Sequence, residues 1–149
     1  MGLKIIITGS TGMVGEGVLL HCLEDARVET VLTISRRTAG HTQSKLTVLL
    51  VPHIMNLEAV ESQLAGHDAC FYCAGVSSVG MSESDYAKIT YDTAVHFATV
   101  LARLNPQMTL VHISGRATDS TEQGRMMWAR VKGKAENALM KLPFKAVFN

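Results

Sequence analysis

The stretch Gly9-Ser10-Thr11-Gly12-Met13-Val14-Gly15 follows directly on a short β-branched run at residues 4–8 and opens a helical stretch at residues 12–24. Strand, glycine turn and helix in that order leave few folds open. Each glycine has its own task in such a unit: Gly9 permits a tight turn out of the strand, Gly12 lets backbone approach a pyrophosphate, and Gly15 lets the helix pack close to the sheet. The helix start then presents free N–H groups and a partial positive charge to phosphate. Position makes the spacing informative, because it sits between an apolar strand and a helix at the head of a βα chain. The expectation is that residues Gly9, Ser10, Thr11, Gly12, Met13, Val14 and Gly15 together form a phosphate-binding turn.

The remainder of the chain repeats the strand–helix alternation. Apolar strand-like runs fall at residues 30–35, 46–51, 69–74, 108–114 and 144–148. Helical spacing occupies residues 57–64, 84–104 and 125–141. Gly66, Asn105-Pro106 and Pro143 supply helix stops. Alternation of this kind gives a parallel sheet with helices on both faces. Right-handed crossovers favour the strand order 3-2-1-4-5 with a sixth at the edge. The predicted architecture is one doubly wound α/β domain of Rossmann type over residues 1–149. Ala74-Gly75 at the end of the fourth strand and the loops at residues 76–83 and 117–124 lie where such sheets bind ligands. Residues 37–44 read as a polar loop.

Bulk properties remove several functions. With 149 residues, 47% apolar and 18% charged, the chain has the means to bury a core. A net charge of +1 with no basic run gives no nucleic-acid or membrane footprint. No apolar stretch nears the roughly 20 residues of a membrane span, and Met1-Gly2-Leu3-Lys4 is not a signal sequence. Cys22, Cys70 and Cys73 lack framework spacing, which predicts a reducing, cytoplasmic setting. Residues i and i+3 of a strand face opposite ways, so Cys70 and Cys73 read as buried apolar thiols and not as a metal pair. None of the six histidines has metal spacing with an acidic or cysteine partner.

The end of the second strand speaks to the nucleotide. An acid usually stands there to bind the ribose hydroxyls of NAD. Here the residues are Ser35-Arg36-Arg37. A guanidinium forks onto a 2′-phosphate that an acid would repel, so NADP is expected in preference to NAD.

Thr8-Gly9-x-x-Gly12-x-x-Gly15, then Gly66-His67-Asp68, Phe71-Tyr72-Cys73-Ala74-Gly75, His112-Ile113-Ser114 and Val131-Lys132-Gly133-Lys134-Ala135-Glu136 together resemble the atypical and extended short-chain dehydrogenase/reductase superfamily. Within it the chain looks like the branch holding Tat-interacting oxidoreductase-like, NmrA-like and sugar-epimerase-like proteins. The resemblance implies a serine and a Tyr-x-x-x-Lys pair. Ser114 matches the serine and Lys132 the lysine, which would hold the nicotinamide ribose, but Trp128 stands where the tyrosine belongs. An indole N–H donates a hydrogen bond and has no usable pKa near neutrality. Tyr86 or Tyr91 would have to reach the cleft to replace it. His53 takes the place of an acid that relatives carry near the adenine. Relatives also continue past the sixth strand, so the domain is expected to lack their substrate-binding segment.

The remaining candidates have plain readings. His112 reads as a core histidine, and Glu136 as a helix-face charge paired with Lys132 or Lys134. Met126-Met127-Trp128 reads as packing. Ser77 and Ser78 read equally as hydrogen-bonding partners of a nicotinamide and as an ordinary turn. The expected function is hydride transfer between nicotinamide and a carbonyl or sugar carbon, with Ser114 polarising the substrate oxygen. A non-catalytic NADP(H) sensor is the rival. The small-molecule substrate is not readable, and the helices at residues 84–104 and 125–141 are where a second copy would pack.

Overall fold

A computed structural model describes residues 1–38 and 40–149. Six strands form one parallel sheet: β1 (Leu3–Thr8), β2 (Val28–Ser35), β3 (Leu46–Leu50), β4 (Ala69–Tyr72), β5 (Thr109–His112) and β6 (Ala146–Phe148). Their order is β3-β2-β1-β4-β5-β6, with every pairing parallel. The expected topology is therefore the one observed. β1 is central and buried on both sides: Ile5 and Ile7 face one apolar cluster and Ile6 the other. A continuous apolar run is what such a strand needs.

One face of the sheet is covered by α1 (Met13–Glu24), which buries Leu19, Cys22 and Leu23 against Ile5, Ile7 and Val31. The other face carries α2 (Glu61–Leu64), α3 (Glu83–Ala87), a π-helical segment (Lys88–Asp92), α4 (Thr93–Leu104) and α5 (Met127–Leu139). Phe97, Leu101, Leu64 and Leu139 pack there with Ile6, Cys70 and Leu110. Among the described residues no helix joins β2 to β3, in keeping with the polar composition of that stretch.

Two helices differ from their sequence patterns. The predicted helix at residues 57–64 is helical only over its last four residues. Asn56 N–H donates to the His53 carbonyl at 2.9 Å and Val60 N–H to that of Leu57 at 2.9 Å, closing turns ahead of it. Leu57 and Leu64 are both buried, so a turn that touches the core twice satisfies the same apolar spacing. The long predicted helix at residues 84–104 is interrupted by the π segment, where Thr93 Oγ1 donates to the Lys88 carbonyl at 2.9 Å.

Buried Asn105 closes α4. Its side-chain amide donates to the carbonyls of Leu64 at 2.9 Å and Leu101 at 3.2 Å, and its oxygen accepts from His67 N–H at 2.9 Å. Burial pushes the His67 and His112 rings below the ordinary histidine value of 6.5. The folded protein thus refuses protons that the unfolded chain binds below about pH 6.5, so stability is full above that pH and falls as pH drops through it. Denaturation midpoints measured from pH 7.5 to 5 should decline. Replacing both histidines by glutamine should flatten that slope.

Candidate active site

β1 delivers the glycine turn to the carboxyl edge of the sheet. Thr8 fixes its exit: the Thr8 carbonyl accepts from Cys73 N–H at 3.2 Å and Thr8 Oγ1 from Ala74 N–H at 3.3 Å. Gly9 turns with φ +70°, a left-handed backbone that favours glycine. A Cβ there would lie 2.6 Å from Ala74 N and Cys73 C, and one on Gly15 would overlap the Gly9 carbonyl. Gly12 N–H donates to that carbonyl at 3.0 Å. Gly12 itself is different in kind. A Cβ on it would meet only the Gly9 oxygen, at 3.5 Å, so the turn is bare on that side. Gly12 also caps α1 without any side-chain hydrogen bond, leaving the first helical N–H groups free of a capping side chain.

Above the turn opens a cleft of about 510 Å³. Thr8, Gly9, Thr11 and Gly12 form its floor. Ile34 and Ser35 come from β2 and Arg36 from just past it, residues 51–54 follow β3, and residues 72–76 run on from the end of β4. Ile89 and Thr93 close it from the π segment and the start of α4. Of the expected cofactor contacts, Gly9, Thr11, Gly12, Ser35, Arg36, His53, Ala74 and Gly75 line this cleft. Ser10 is buried beneath it, its hydroxyl without a hydrogen-bond partner among the described residues. Met13, Val14, Gly15, Arg37 and Lys132 are not on its wall. Ser35 Oγ donates to the Arg37 carbonyl at 2.5 Å, folding the exit of β2 so that Arg36 alone of the pair reaches the cleft. Ile89 and Thr93 line the cleft although no sequence motif marks them, and Tyr72 and Cys73 line it from within the motif at residues 71–75, where only Ala74 and Gly75 were expected as contacts.

Beyond β5 a second group gathers around Gly115. A Cβ there would lie 3.5 Å from Lys132 Cδ and 3.6 Å from Trp128 Cζ3. Trp128 and Lys132, one turn apart on α5, thus sit side by side beneath the strand end that carries Ser114. The β5 end adjoins the cleft, since Ile113 N–H donates to the Tyr72 carbonyl at 3.0 Å. Ser114 Oγ donates to Glu136 Oε1, and Thr118 Oγ1 donates to Glu136 Oε2 at 3.0 Å. This corrects the expectation that Glu136 pairs with Lys132 or Lys134. The carboxylate turns inward because two hydroxyls of the post-β5 loop approach it. Lys134 instead lies over the Tyr91 ring, 4.6 Å from its centroid.

The loop bearing Thr118 is built against α5. Asp119 N–H donates to the Ala129 carbonyl at 3.0 Å, and the Asp119 carboxylate accepts from Thr121 N–H at 3.0 Å and Gly124 N–H at 2.6 Å. The Thr121 hydroxyl, which also donates to this carboxylate, and these backbone donors hold its pKa below the usual carboxylate range. A Cβ on Gly133 would overlap the Asp119 carbonyl, so glycine is what permits this approach.

The phenols do not replace a catalytic tyrosine. Tyr86 is fully buried, and neither it nor Tyr91 lines the cleft. Tyr72 does, but burial raises its pKa further above neutrality. The Cys73 thiol is likewise pushed up to about 11 by burial and stays protonated. His112 is buried, as a core histidine should be, with Nδ1 3.1 Å from Asn149 Oδ1.

Residues 5–123 match the model of the NAD dependent epimerase/dehydratase family. Among curated proteins, the chain is 27% identical over 143 residues to Leucinostatins biosynthesis cluster protein T of Purpureocillium lilacinum, covering 94% of this chain and 52% of that protein. It is 28% identical over 148 residues to Protein fmp52, mitochondrial, of Aspergillus fumigatus, covering 95% and 62%. The chain therefore spans roughly half to three-fifths of those relatives. Among solved structures it is similar to the Bordetella bronchiseptica enzyme WbmG in complex with NAD, with TM-score 0.76 and 14% identity over 99% of this chain and 52% of the other. It is also similar to UDP-glucuronic acid 4-epimerase of Bacillus cereus in complex with NAD, with TM-score 0.75 and 14% identity over 98% and 55%. At such identity these likenesses speak to fold.

Proposed function

This chain belongs to the NAD dependent epimerase/dehydratase family, and from that premise we propose that it holds a nicotinamide dinucleotide in the cleft above the glycine turn and performs oxidoreductase or epimerase-like chemistry on a small molecule. The observation that carries this reading is the turn itself. Gly9 and Gly15 are locked against backbone, whereas Gly12 is bare toward the space that a diphosphate would fill. The residues fit the group: Gly9, Thr11 and Gly12 would hold the diphosphate, His53 would border the adenine, and Ala74-Gly75 would border the chain between the rings. When bound, such a cofactor supplies the hydride donor or acceptor. Lys132, to which the resemblance assigns the nicotinamide ribose, sits beside Trp128 at Gly115, off the cleft wall, and would supply positive charge and hydrogen-bond donors from there.

For the cofactor's form, NADP is favoured over the NAD named by the family and its neighbours. Arg36 reaches the cleft, and no acid stands at the end of β2. A charge-assisted contact from an exposed guanidinium contributes on the order of 1.5 kcal/mol, or about tenfold in affinity. Arg36→Ala should therefore weaken NADPH binding about tenfold while leaving NADH nearly unchanged, read by fluorescence titration. Equal losses would reject the 2′-phosphate contact. The three free thiols fit a reducing compartment such as the cytoplasm. No helix among the described residues is long and apolar enough to cross a membrane.

A second reading draws on Trp128. A sensor that binds NADP(H) and reports its state to a partner needs no proton donor, and none with a usable pKa occupies the expected position. NADPH titration followed by assay against a carbonyl panel separates the two. Binding without turnover, unimproved by Trp128→Tyr, supports the sensor, and turnover lost on Ser114→Ala supports the enzyme.

A further inference from the structure

Resting on the oxidoreductase reading, we propose that Glu136 takes up the substrate's hydroxyl proton through Ser114 and so replaces the acid/base group that Trp128 displaces. Trp128, Lys132 and Glu136 recur every four residues along α5 and share one face of it. Lys132 and Trp128 flank Gly115, and Glu136, one turn on, meets Ser114. An ionised carboxylate only accepts hydrogen bonds, so both hydroxyls that reach it must donate. Thr118 holds Oε2 at 3.0 Å, pinning the carboxylate, while Ser114 gives its single hydrogen to Oε1.

That commitment decides what Ser114 can receive. With its hydrogen turned to Glu136, Ser114 Oγ offers only lone pairs outward. A carbonyl has nothing to give it, whereas an alcohol does. The group that fits this position while the carboxylate accepts from Ser114 is therefore a hydroxyl, the alcohol side of the reaction. An oxidised pyridine nucleotide, when bound, would take the carbinol C–H hydrogen with its bonding pair, and the C–O bond would become C=O. The alcohol's O–H proton passes to Ser114 Oγ, and the original Ser114 proton passes to Glu136 Oε1. Ser114 is neutral before and after, Glu136 ends protonated, and the products are a carbonyl compound and reduced dinucleotide. Reduction runs the same transfers backward.

Among the described residues no other side chain nearby offers this service. Trp128 does not ionise in this range, Tyr86 is sealed in the core, and Tyr91 lies under Lys134. His112 from β5 lies close enough to Glu136 and to Lys132 to feel both charges, and its ring is engaged with Asn149. Glu136 is thus a positioning residue that acts through Ser114, and it was invisible in the sequence because its spacing from Lys132 reads as a surface pair.

The test uses the full chain with NADP⁺ and three probe alcohols: cyclohexanol, 1-phenylethanol and glucuronic acid. Glu136→Gln should lower kcat about 100-fold while NADPH affinity by fluorescence stays within about twofold. Adding Trp128→Tyr to Glu136→Gln should restore turnover to within about tenfold of the parent, since the phenol then handles the proton beside Lys132. Wild-type-like turnover of Glu136→Gln, or no restoration by tyrosine, overturns the relay and leaves the oxidoreductase reading standing. A parent protein that binds NADPH but oxidises none of the probes removes both. A measurement independent of turnover is the Ser114 hydroxyl proton by NMR. It should appear downfield of ordinary hydroxyls and vanish in Ser114→Ala and Glu136→Gln, and its absence from the parent protein overturns the proposal.

Discussion

Gly9→Ala is expected to cost roughly 3 kcal/mol of stability and to abolish dinucleotide binding. A left-handed backbone costs a residue with a Cβ roughly 1–2 kcal/mol. Forcing that Cβ into packed backbone typically costs a further 1–3 kcal/mol or so. Both penalties apply, because φ is +70° and the new carbon would lie 2.6 Å from Cys73 C and Ala74 N and 2.7 Å from Cys73 O. None of these atoms is the far end of a flexible side chain that could swing aside. Gly12→Ala is the control. Its Cβ meets only the Gly9 oxygen at 3.5 Å, so the fold should survive with little loss while the methyl intrudes on bound diphosphate. Chemical denaturation and NADPH fluorescence titration on the two variants should separate cleanly: Gly9→Ala fails in both, Gly12→Ala in binding alone. A Gly9→Ala protein with the parent's midpoint would mean that the turn tolerates another path.

Trp128→Tyr is expected to raise turnover, by roughly 10² if the phenol supplies the lower end of what a positioned acid or base contributes. Trp128 is half-buried and leans on Gly115 beside the Lys132 stem, so the smaller tyrosine can be housed without emptying a core site. The neighbouring ammonium favours the phenolate and brings its pKa toward the working range. Cofactor affinity should be unaffected. Stopped-flow hydride transfer with the probe alcohols checks this. No gain in a variant that folds and binds NADPH would mean that a side chain at this position does not reach the reacting oxygen.

How much of this could be foreseen from the sequence differs by element. The strands were legible because a parallel strand covered on both faces must be apolar along its length, as Ile5-Ile6-Ile7 is. The glycine turn was legible because backbone conformation and close approach leave almost no residue but glycine. Helices were less so. Residues 57–64 carry helical spacing, yet the same spacing serves a pair of turns anchored by Leu57 and Leu64. The π segment is hidden because one extra residue per turn barely alters a short apolar pattern. At the site, adjacent arginines look equivalent on paper, and only the folded exit of β2 separates Arg36 from Arg37. Glu136 is the clearest case. A carboxylate four residues from a lysine reads as a solvated ion pair, and the two hydroxyls that claim it arrive on a loop whose course spacing does not encode.

The central placement of β1 has a practical corollary. The strand that ends in the glycine turn is hydrogen-bonded to β2 on one side and β4 on the other, and Thr8 ties the turn itself to Cys73 and Ala74. A molecule gripped by that turn is gripped by the middle of the sheet, and its occupancy must appear in the melting of the entire domain. A ligand at a hundred times its dissociation constant adds about 2.7 kcal/mol to the folded state. Heating curves with each pyridine nucleotide in turn would therefore rank them for this chain with no substrate in hand.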